Sequence, residues 1–234
     1  MADTRLSSVS ENDVRNEWGG LGYFSSLNSQ ARGVAILIKK HFPVTVLDTF
    51  NDVNGNIVAV LLEFESKRIL IQGIYGPNND DPDFYSDLCF NIAQLWDVNY
   101  SVFVGDWNIA LNPEIDTRNY RNYNNPRARS ELKNKIQELN LIDIFRELNP
   151  SERRFTWKKW GEEKYSRLDY FLVSSSLLPF VQKTEILASC FSDHSPILLD
   201  IDFAKFTRGR GFWKMNNSLL FEKDYVELIK NTIK

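Results

Sequence analysis

The stretch Ile57-Val58-Ala59-Val60-Leu61-Leu62-Glu63-Phe64, followed after Glu65-Ser66-Lys67 by Arg68-Ile69-Leu70-Ile71-Gln72-Gly73-Ile74-Tyr75, decides the fold. Both runs are rich in the β-branched and apolar residues that favour strands, and the polar residues between them suit a tight connection. The dipeptide Asn54-Gly55 signals a further turn just before the first run. We therefore predict a β-hairpin over these two runs.

More strand-like runs lie on both sides of this hairpin. One helix is predicted to open at Asp80-Asp81-Pro82, an acidic cap followed by a first-turn proline, and another lies within residues 127–140. Residues 7–31 are predicted to form a polar loop with at most one helical turn, because glycines punctuate them. The other predicted strands are 33–38, 44–47, 101–104, 155–157, 168–173, 185–188 and 197–203. Many strands with little βαβ alternation predict an α+β fold, an α/β sandwich with mixed sheets.

Composition sets the broad class of the protein. The 234 residues are 43% hydrophobic, enough for a substantial core, and we predict one domain over residues 1–203. Residues 204–234 begin as a basic, glycine-containing linker at 207–211, and a helix near 219–233 follows. Cys89 and Cys190 stand in apolar surroundings and are predicted to be buried free thiols. Because no long apolar run or signal-peptide core is present, we expect an intracellular location, nuclear or cytoplasmic, with no membrane contact.

The charge is unevenly distributed. The chain has a net charge of only -3, but residues 118–167 hold 13 basic and 7 acidic side chains, a net of +6. This basic segment can follow a phosphate backbone, and its candidate phosphate contacts are Arg127, Arg129, Lys158 and Lys159. A solvated helix face is the alternative interpretation.

A carboxylate and a carboxamide follow the strand predicted at 101–104. In Gly105-Asp106-Trp107-Asn108, Asp106 comes at a sheet edge, where it can act as a general base on a water molecule. Asn108 lies on the same side if the chain stays extended, and it can hold a phosphate oxygen. An Asx-type turn is the structural alternative for this pair.

One of the two histidines stands in Ser192-Asp193-His194-Ser195, just before a predicted strand. His194 can donate to a phosphoryl oxygen, and Asp169 can orient and charge its imidazole. Asp193 can ligate a hard cation such as Mg²⁺ through oxygen. Together these groups predict metal-assisted phosphodiester hydrolysis, although a histidine that only caps the strand is the alternative.

Further side chains are candidates for substrate contacts. Tyr75 ends its strand and can hydrogen-bond a phosphate, with core packing as the alternative. Thr156 and Arg167 can line a substrate groove, whereas the neighbouring Trp157 can equally belong to the core.

Five ordered motifs carry a resemblance that covers almost the whole chain. They are Ile74-Tyr75-Gly76-Pro77-Asn78, Gly105-Asp106-Trp107-Asn108, Phe155-Thr156-Trp157, Ser166-Arg167-Leu168-Asp169-Tyr170 and Ser192-Asp193-His194-Ser195. In this order they resemble the endonuclease/exonuclease/phosphatase superfamily. The Thr-Trp ahead of Ser-Arg-Leu-Asp-Tyr, together with the exit segment 210–216, resembles the apurinic-type endonuclease domain of non-LTR (LINE-type) retrotransposons.

The resemblance implies a fold, a reaction and a role for each matching residue. The fold is a four-layer α/β sandwich with two mixed β-sheets flanked by helices. The reaction is cleavage of a DNA phosphodiester with Mg²⁺, or with Mn²⁺ in its place, and with no other small-molecule cofactor. The catalytic residues are the water-activating base Asp106, its phosphate-holding neighbour Asn108, the phosphate-contacting Tyr75, and the transition-state pair His194 and Asp169. The substrate-binding residues are Asn78, Thr156, Arg167 and Ser192.

The start of the chain departs from the family pattern. The family begins with an asparagine-bearing strand and a helix that have no counterpart here, so the sequence resembles an N-terminally truncated member. The family's Gln-Glu-Thr corresponds to Ala2-Asp3-Thr4, which assigns Asp3, with Asp193, to the metal. The carboxylate of Asp3 is one methylene shorter than the family's glutamate, and we therefore expect weak Mg²⁺ binding and slow cleavage.

Three functions are compatible with the sequence. The leading one is an endonuclease that nicks DNA to provide a primer for reverse transcription. A phosphoesterase acting on a small ester or a lipid would use the same site chemistry. A catalytically weak remnant that only binds DNA would keep the basic middle segment without turnover.

Overall fold

The computed structural model describes residues 1–88, 97–120, 124–189, 191–203 and 223–232. The strands in these residues are β1 (Leu21–Ser25), β2 (Val34–Ile38), β3 (Thr45–Asn51), β4 (Ile57–Phe64), β5 (Lys67–Tyr75), β6 (Tyr100–Asp106), β7 (Thr117–Arg118), β8 (Leu141–Asp143), β9 (Trp157–Lys158), β10 (Tyr165–Ser166), β11 (Asp169–Ser174), β12 (Val181–Ile186) and β13 (Ile197–Ile201). The helices are α1 (Ser8–Trp18), α2 (Pro113–Asp116), α3 (Pro126–Glu138), α4 (Ile144–Leu148) and α5 (Lys223–Thr232), with a π-helical turn at Phe84–Leu88 and a 3₁₀ helix at Ser175–Phe180.

The largest sheet has six strands in the order β3-β4-β5-β6-β11-β8. It is mixed, because β5 and β6 pair in parallel while the other neighbours pair antiparallel. The predicted hairpin is confirmed as β4 and β5, with Phe64 opposite Lys67. Glu65 and Ser66 connect the two strands at φ values of 47° and 64°, the left-handed conformation that two-residue hairpin loops favour.

The two faces of this sheet pack against different elements. Alternate strand residues point to opposite faces. Ile57 and Leu70 belong to the core on one face, together with Leu132 of α3. On the other face, Val58 and its alternate neighbours pack with the β1–β2 hairpin, and the strands further along pack with the β12–β13 hairpin. This layered arrangement confirms the α/β class and leaves the carboxyl ends of β5 and β6 open at one edge.

The prediction of two mixed sheets is wrong in one respect. In place of a second mixed sheet, the described residues form two separate antiparallel hairpins, β1–β2 and β12–β13, and a small sheet in the order β7-β10-β9. The start of the chain lies along one of these hairpins, where Ala2 forms an isolated bridge with Val34. The ladder hydrogen bonds of each hairpin join its own two strands. The hairpins are attached to the central sheet by their apolar faces.

The prediction of a loop over residues 7–31 is also wrong, because α1 and β1 lie there. Ser7 caps α1 by accepting a hydrogen bond from the Ser10 backbone N–H at 3.2 Å, and Gly19 ends the helix at φ 64°. These are standard helix start and stop signals. The helix carries few apolar residues, so the periodicity that marks a helix in sequence is weak there.

The other predicted elements have mixed outcomes. The helix predicted at 127–140 is present as α3, and the other predicted strands are present with shifted ends, except that the strand predicted at 155–157 shares only Trp157 with the two-residue β9. The helix predicted from Asp80 begins as the π-helical turn, and its continuation falls outside the described residues, as do Cys89, Cys190 and the linker at 207–211. In the part of the chain that the structure describes, no helix is long and apolar enough to cross a membrane.

A buried ion cluster joins the small sheet, the central sheet and α4. The guanidinium of Arg167 binds both carboxylate oxygens of Asp116, at 2.8 and 3.0 Å, and both oxygens of Asp143, at 3.1 and 2.6 Å. Arg146 adds a second cation at 2.6 Å from Asp116. Because Asp116 and Arg167 have no exposed surface, neither can exchange its partner for water.

We predict that Arg167→Met lowers the free energy of unfolding by about 3–5 kcal/mol, because it leaves buried carboxylates without their cation. Urea unfolding at neutral pH measures this change. The control is Arg68→Gln, which removes an exposed ion pair and should change stability by less than about 1 kcal/mol. Equal effects of the two substitutions would contradict the structural role of the cluster.

Candidate active site

A cavity of about 960 Å³ opens where β5 and β6 end and the antiparallel β11 begins. Residues at these ends lie side by side in the sheet. Asp106 pairs with Tyr75 across the parallel β5–β6 ladder and with Asp169 across the antiparallel β6–β11 ladder. The register of three strands therefore brings one phenol and two carboxylates to a single edge.

Close backbone contact between β5 and β6 requires glycine at two positions. A Cβ on Gly105, which has φ 154°, would lie 1.9 Å from the carbonyl oxygen of Ile74. A Cβ on Gly76 would lie 2.4 Å from the carbonyl oxygen of Trp107. This approach allows the Gly76 N–H to donate to the Asp106 carbonyl at 2.7 Å, which extends the parallel pairing to the cavity.

Asn108 turns the chain back toward Asp106. Its backbone adopts a left-handed conformation at φ 52°, which asparagine tolerates better than most residues. Its backbone N–H donates to Oδ1 of Asp106 at 3.0 Å, and its side-chain Nδ2 donates to the Gly76 carbonyl at 2.8 Å. The chain is therefore not extended at Asn108. The alternative interpretation, an Asx turn, is the one that forms, and it brings the side chains of Asp106 and Asn108 to the cavity.

His194 lies between the two carboxylates. Its Nδ1 is 2.8 Å from Oδ2 of Asp169, a hydrogen bond, and its Nε2 is 3.9 Å from Oδ2 of Asp106. The second distance is too long for a hydrogen bond. The acid and histidine motifs, separated in sequence, meet at one point.

Charge and burial shift the pKa values of these groups in a consistent way. Burial, and then the negative charge of Asp169, raise the pKa of Asp106 to about 7, with His194 acting in the opposite direction. For His194, burial disfavours the charged form, but the hydrogen bond and charge of Asp169 and the charges of Asp106 and Asp193 raise its pKa to about 9. At neutral pH, His194 is therefore an imidazolium and Asp106 is poised to gain or lose a proton.

Thr156 supports the site from the interior. Its hydroxyl accepts hydrogen bonds from the backbone N–H groups of Leu168 and Asp169, both at 2.9 Å, and its carbonyl accepts from Ser195 N–H at 2.6 Å. With only 1% of its surface exposed, Thr156 cannot contact a substrate, and the prediction of substrate binding is corrected. It instead ties the Asp169 segment to the His194 loop.

Arg167 also lies away from the cavity. It is 0% exposed, and its guanidinium is held by Asp116 and Asp143 in the buried ion cluster. The prediction that Arg167 lines a substrate groove is therefore wrong, because its charge is already satisfied inside the protein. Trp157 behaves in the opposite way, since it lines the cavity and donates from Nε1 to Oδ2 of Asp193 at 3.1 Å.

The remaining predicted residues line the cavity. Tyr75 is half-buried, and burial, followed by the charges of Asp3 and Asp106, raises its pKa, so its hydroxyl stays protonated at neutral pH. Asn78 lies nearby and accepts a hydrogen bond from Asn125 through its carbonyl at 3.3 Å. Ser192 accepts from the backbone N–H of His194 at 3.1 Å, which positions the histidine loop.

The carboxylates suit a hard divalent cation. Asp3, Asp106, Asp169 and Asp193 all line one cavity, and burial, followed by the charge of Asp169, raises the pKa of Asp106. Carboxylate oxygens are the ligands that Mg²⁺ prefers, with Mn²⁺ accepting the same set. Asp193 keeps lone pairs beyond its bond to Trp157. His194 is a poorer ligand, because a charged imidazolium has no lone pair to offer.

Several cavity residues carried no signal in the sequence analysis. They are Arg5, Tyr120, Asn124 and Asn125. Asn125 stands out in the structure through its left-handed φ of 53° and its hydrogen bonds to the carbonyls of Asn78 and Asn108. Only its position before Pro126, a helix-start signal, singles it out in sequence.

The chain is similar to a transposon protein in sequence and to two solved enzymes in fold. It is 25% identical over 99% of its length to the "Transposon TX1 uncharacterized 149 kDa protein" of Xenopus laevis, of which it spans 18%. An AP endonuclease from Archaeoglobus fulgidus has a similar fold, with a TM-score of 0.70 at 20% identity, covering 86% of this chain and 87% of that one. The 3′ phosphatase NExo from Neisseria, solved with a product DNA hairpin, gives a TM-score of 0.67 at 17% identity, covering 86% and 87%.

The sequence pattern of one family matches most of the chain, from residue 4 to residue 194. This range contains four of the five motifs in full and ends within the fifth, on His194, the residue that lies between the two carboxylates. The chain therefore belongs to the Endonuclease/Exonuclease/phosphatase family.

Proposed function

We propose that this chain is a metal-dependent phosphodiesterase that nicks DNA, as the endonuclease region of a non-LTR (LINE-type) retrotransposon protein. The observation that carries the proposal is the arrangement of His194 between Asp169 and Asp106 at the end of the central sheet. The similarity to a transposon protein over 99% of the chain supports the retrotransposon assignment, and the DNA bound to NExo supports DNA as the substrate.

Asp106 is the candidate base for the attacking water. A general base works best when its pKa is close to the working pH, and the pKa of Asp106 is about 7. Its Oδ1 accepts the backbone N–H of Asn108, which holds the carboxylate in place. Oδ2 then faces the space beside His194 where water and phosphate would meet.

His194 and Tyr75 are the candidate donors to the phosphate. The imidazolium of His194 would donate from Nε2 to a phosphoryl oxygen, where negative charge grows in the transition state. Asp169 holds the ring through Nδ1 and keeps it charged, since the pKa of His194 is raised to about 9. Tyr75 would donate its hydroxyl, and Asn108 would donate the amide hydrogen that does not bind Gly76.

The metal fits the acidic side of the same cavity. Asp3 and Asp193 would hold Mg²⁺, or Mn²⁺ in its place, and the cation would supply positive charge to the phosphate. The ion pair between Asp3 and Arg5, at 2.7 Å, opposes this assignment in the metal-free chain. Because Mg²⁺ must compete with Arg5 for the carboxylate of Asp3, we expect weak Mg²⁺ binding.

The basic segment contributes fewer cations to DNA than its net charge suggests. Arg127 pairs with Asp80 at 3.3 Å, and the Nε of Arg129 donates to the Ala110 carbonyl at 3.0 Å. Lys158 and Lys159 are exposed next to Trp157 on the cavity wall, and the Lys158 backbone N–H donates to the Asp193 carbonyl at 2.9 Å. Lys159 also pairs with Glu162 at 2.6 Å, but both side chains are about half exposed, so a phosphate can replace this carboxylate. We propose these two lysines as phosphate contacts beside the site.

We predict that His194→Ala lowers the rate of nicking of supercoiled plasmid by at least about 100-fold, as expected for the loss of a donor to a developing oxyanion. The free energy of unfolding of this variant should fall by about 1–3 kcal/mol, because Asp169 loses its hydrogen-bond partner. The control is His41→Ala, which removes the only other histidine, an exposed one. Unchanged nicking by His194→Ala would remove His194 from the mechanism.

Hydrolysis of bis(p-nitrophenyl) phosphate, measured with the same proteins, separates two functions. Turnover of this small diester without plasmid nicking would favour the small-ester phosphoesterase over the nuclease. Absence of both activities would favour a remnant that only binds DNA.

We predict that the DNA affinity of the chain falls steeply with salt, and that the double variant Lys158→Gln/Lys159→Gln reduces the slope of log K against log salt by about 2, roughly 1 for each lost phosphate contact. Titrations of a labelled duplex at several salt concentrations measure the slope. The control Lys133→Gln/Lys183→Gln removes two exposed lysines that lie in α3 and β12, outside the segment next to Trp157. Equal changes of slope in the two double variants would contradict the proposal that Lys158 and Lys159 contact DNA phosphates beside the site.

A further inference from the structure

An ion pair occupies the acidic side of the cavity. The side chain of Arg5 donates from Nε and from a terminal nitrogen to Oδ2 of Asp3, at 3.1 and 2.7 Å. Both residues line the cavity, and their side chains are 58% and 31% exposed. Arg5 thus holds the same carboxylate that the proposed function assigns to the cation.

The backbone fixes both residues at this place. The N–H groups of Thr4 and Arg5 donate to the carbonyls of Gly33 and Arg32, at 3.0 and 2.8 Å. Asp3 and Arg5 both have positive φ values, 52° and 49°, which are unfavourable for residues with side chains. Strained backbone persists only where surrounding contacts hold it, and such strain often occurs at functional sites.

Arg5 shares the cavity with the other proposed ligand-binding groups. Asp193, the proposed metal-binding acid of the histidine loop, and Tyr75, the proposed phosphate donor at the end of β5, line the same cavity as Arg5. The side chain of Arg5 is long and 58% exposed, so it can change its partner within this cavity.

A cation and Arg5 compete for one oxygen. Mg²⁺ binds carboxylate oxygens at about 2.0–2.1 Å, and two N–H groups already point at Oδ2 of Asp3. A divalent cation placed there would also repel the guanidinium. The planar fork of arginine fits two phosphate oxygens as well as it fits a carboxylate, so the displaced side chain has a second partner when DNA is present.

We propose that Arg5 is a phosphate-binding residue that is held by Asp3 until a divalent cation takes that carboxylate. This inference rests on the proposed function for its phosphate ligand and for the cation at Asp3. In this arrangement, binding of the cation frees Arg5 for DNA, and binding of DNA to Arg5 frees Asp3 for the cation. The cation and DNA therefore bind with positive coupling, and the coupling is reciprocal.

The first experiment measures Mn²⁺ binding without DNA, from the electron paramagnetic resonance signal of free Mn²⁺. Arg5→Gln removes the competitor and should tighten Mn²⁺ binding by about 2- to 5-fold, the range expected for an exposed ion pair. In an Asp3→Asn background the same substitution should have no such effect. Arg68→Gln is the matched control, since it removes an exposed arginine ion pair at the other end of β5. Unchanged or weaker Mn²⁺ binding by Arg5→Gln would overturn the proposal.

The second experiment measures DNA affinity by fluorescence anisotropy in a His194→Ala background, which limits cleavage. With Arg5 present, Mg²⁺ should tighten duplex binding by about tenfold relative to EDTA, as for a charge-assisted contact. With Arg5→Gln, most of this gain should be lost, and Arg5→Lys should restore part of it. Equal gains with and without Arg5 would overturn its phosphate role.

The two experiments separate this proposal from the proposed function. If the chain binds no DNA, the nuclease assignment and the phosphate role of Arg5 fail together, while the Mn²⁺ measurement still decides whether Arg5 competes for Asp3. If DNA is bound and nicked but Mg²⁺ gives no Arg5-dependent gain, the proposed function stands and the phosphate role of Arg5 is wrong.

Discussion

Two carboxylates, Asp106 and Asp169, lie directly opposite each other on β6 and β11, and the site depends on how their repulsion is balanced. Like charges at facing positions of adjacent strands destabilise a sheet. Here the imidazole of His194 binds Asp169 and faces Asp106, so a single positive charge serves both acids. The interaction of His194 with these carboxylates offsets their repulsion. It also places a charged hydrogen-bond donor beside Asp106, whose pKa is raised.

The fold maintains this balance through contacts that do not reach the cavity. Arg167, two residues before Asp169, is fixed by Asp116 and Asp143 in the interior. Thr156 binds the N–H groups of the same segment and also the loop that carries His194. Acid and histidine are thus attached to one rigid support, as expected for a site whose geometry must be held within fractions of an ångström.

Sequence patterns predicted the parts of this structure that depend on local order. The apolar runs of β4 and β5 predicted their hairpin, and the motifs around Asp106, Asp169 and His194 predicted the residues that the cavity brings together. Each of these signals lies within a few neighbouring residues, where periodicity and strand ends can be read directly.

The features that the sequence did not predict depend on distant partners or weak patterns. Arg167 resembles a surface cation in its motif, and its burial follows from Asp116 and Asp143, 51 and 24 residues away. The separation of the hairpins from the central sheet is likewise a matter of tertiary packing, and α1 has too few apolar residues to show helical periodicity. Arg5 carried no motif, and its pairing with Asp3 depends on two left-handed residues that ordinary propensities disfavour.

The charge on His194 is the most direct test of this account. Nuclear magnetic resonance titration of the metal-free protein can follow it, because the chain has only two histidines and His41 gives a separate reference signal. The account predicts that His194 titrates near pH 9 and that Asp169→Asn moves its pKa down toward the ordinary value of 6.5. A His194 pKa close to 6.5 in the unaltered protein, or one that Asp169→Asn leaves unchanged, would contradict it.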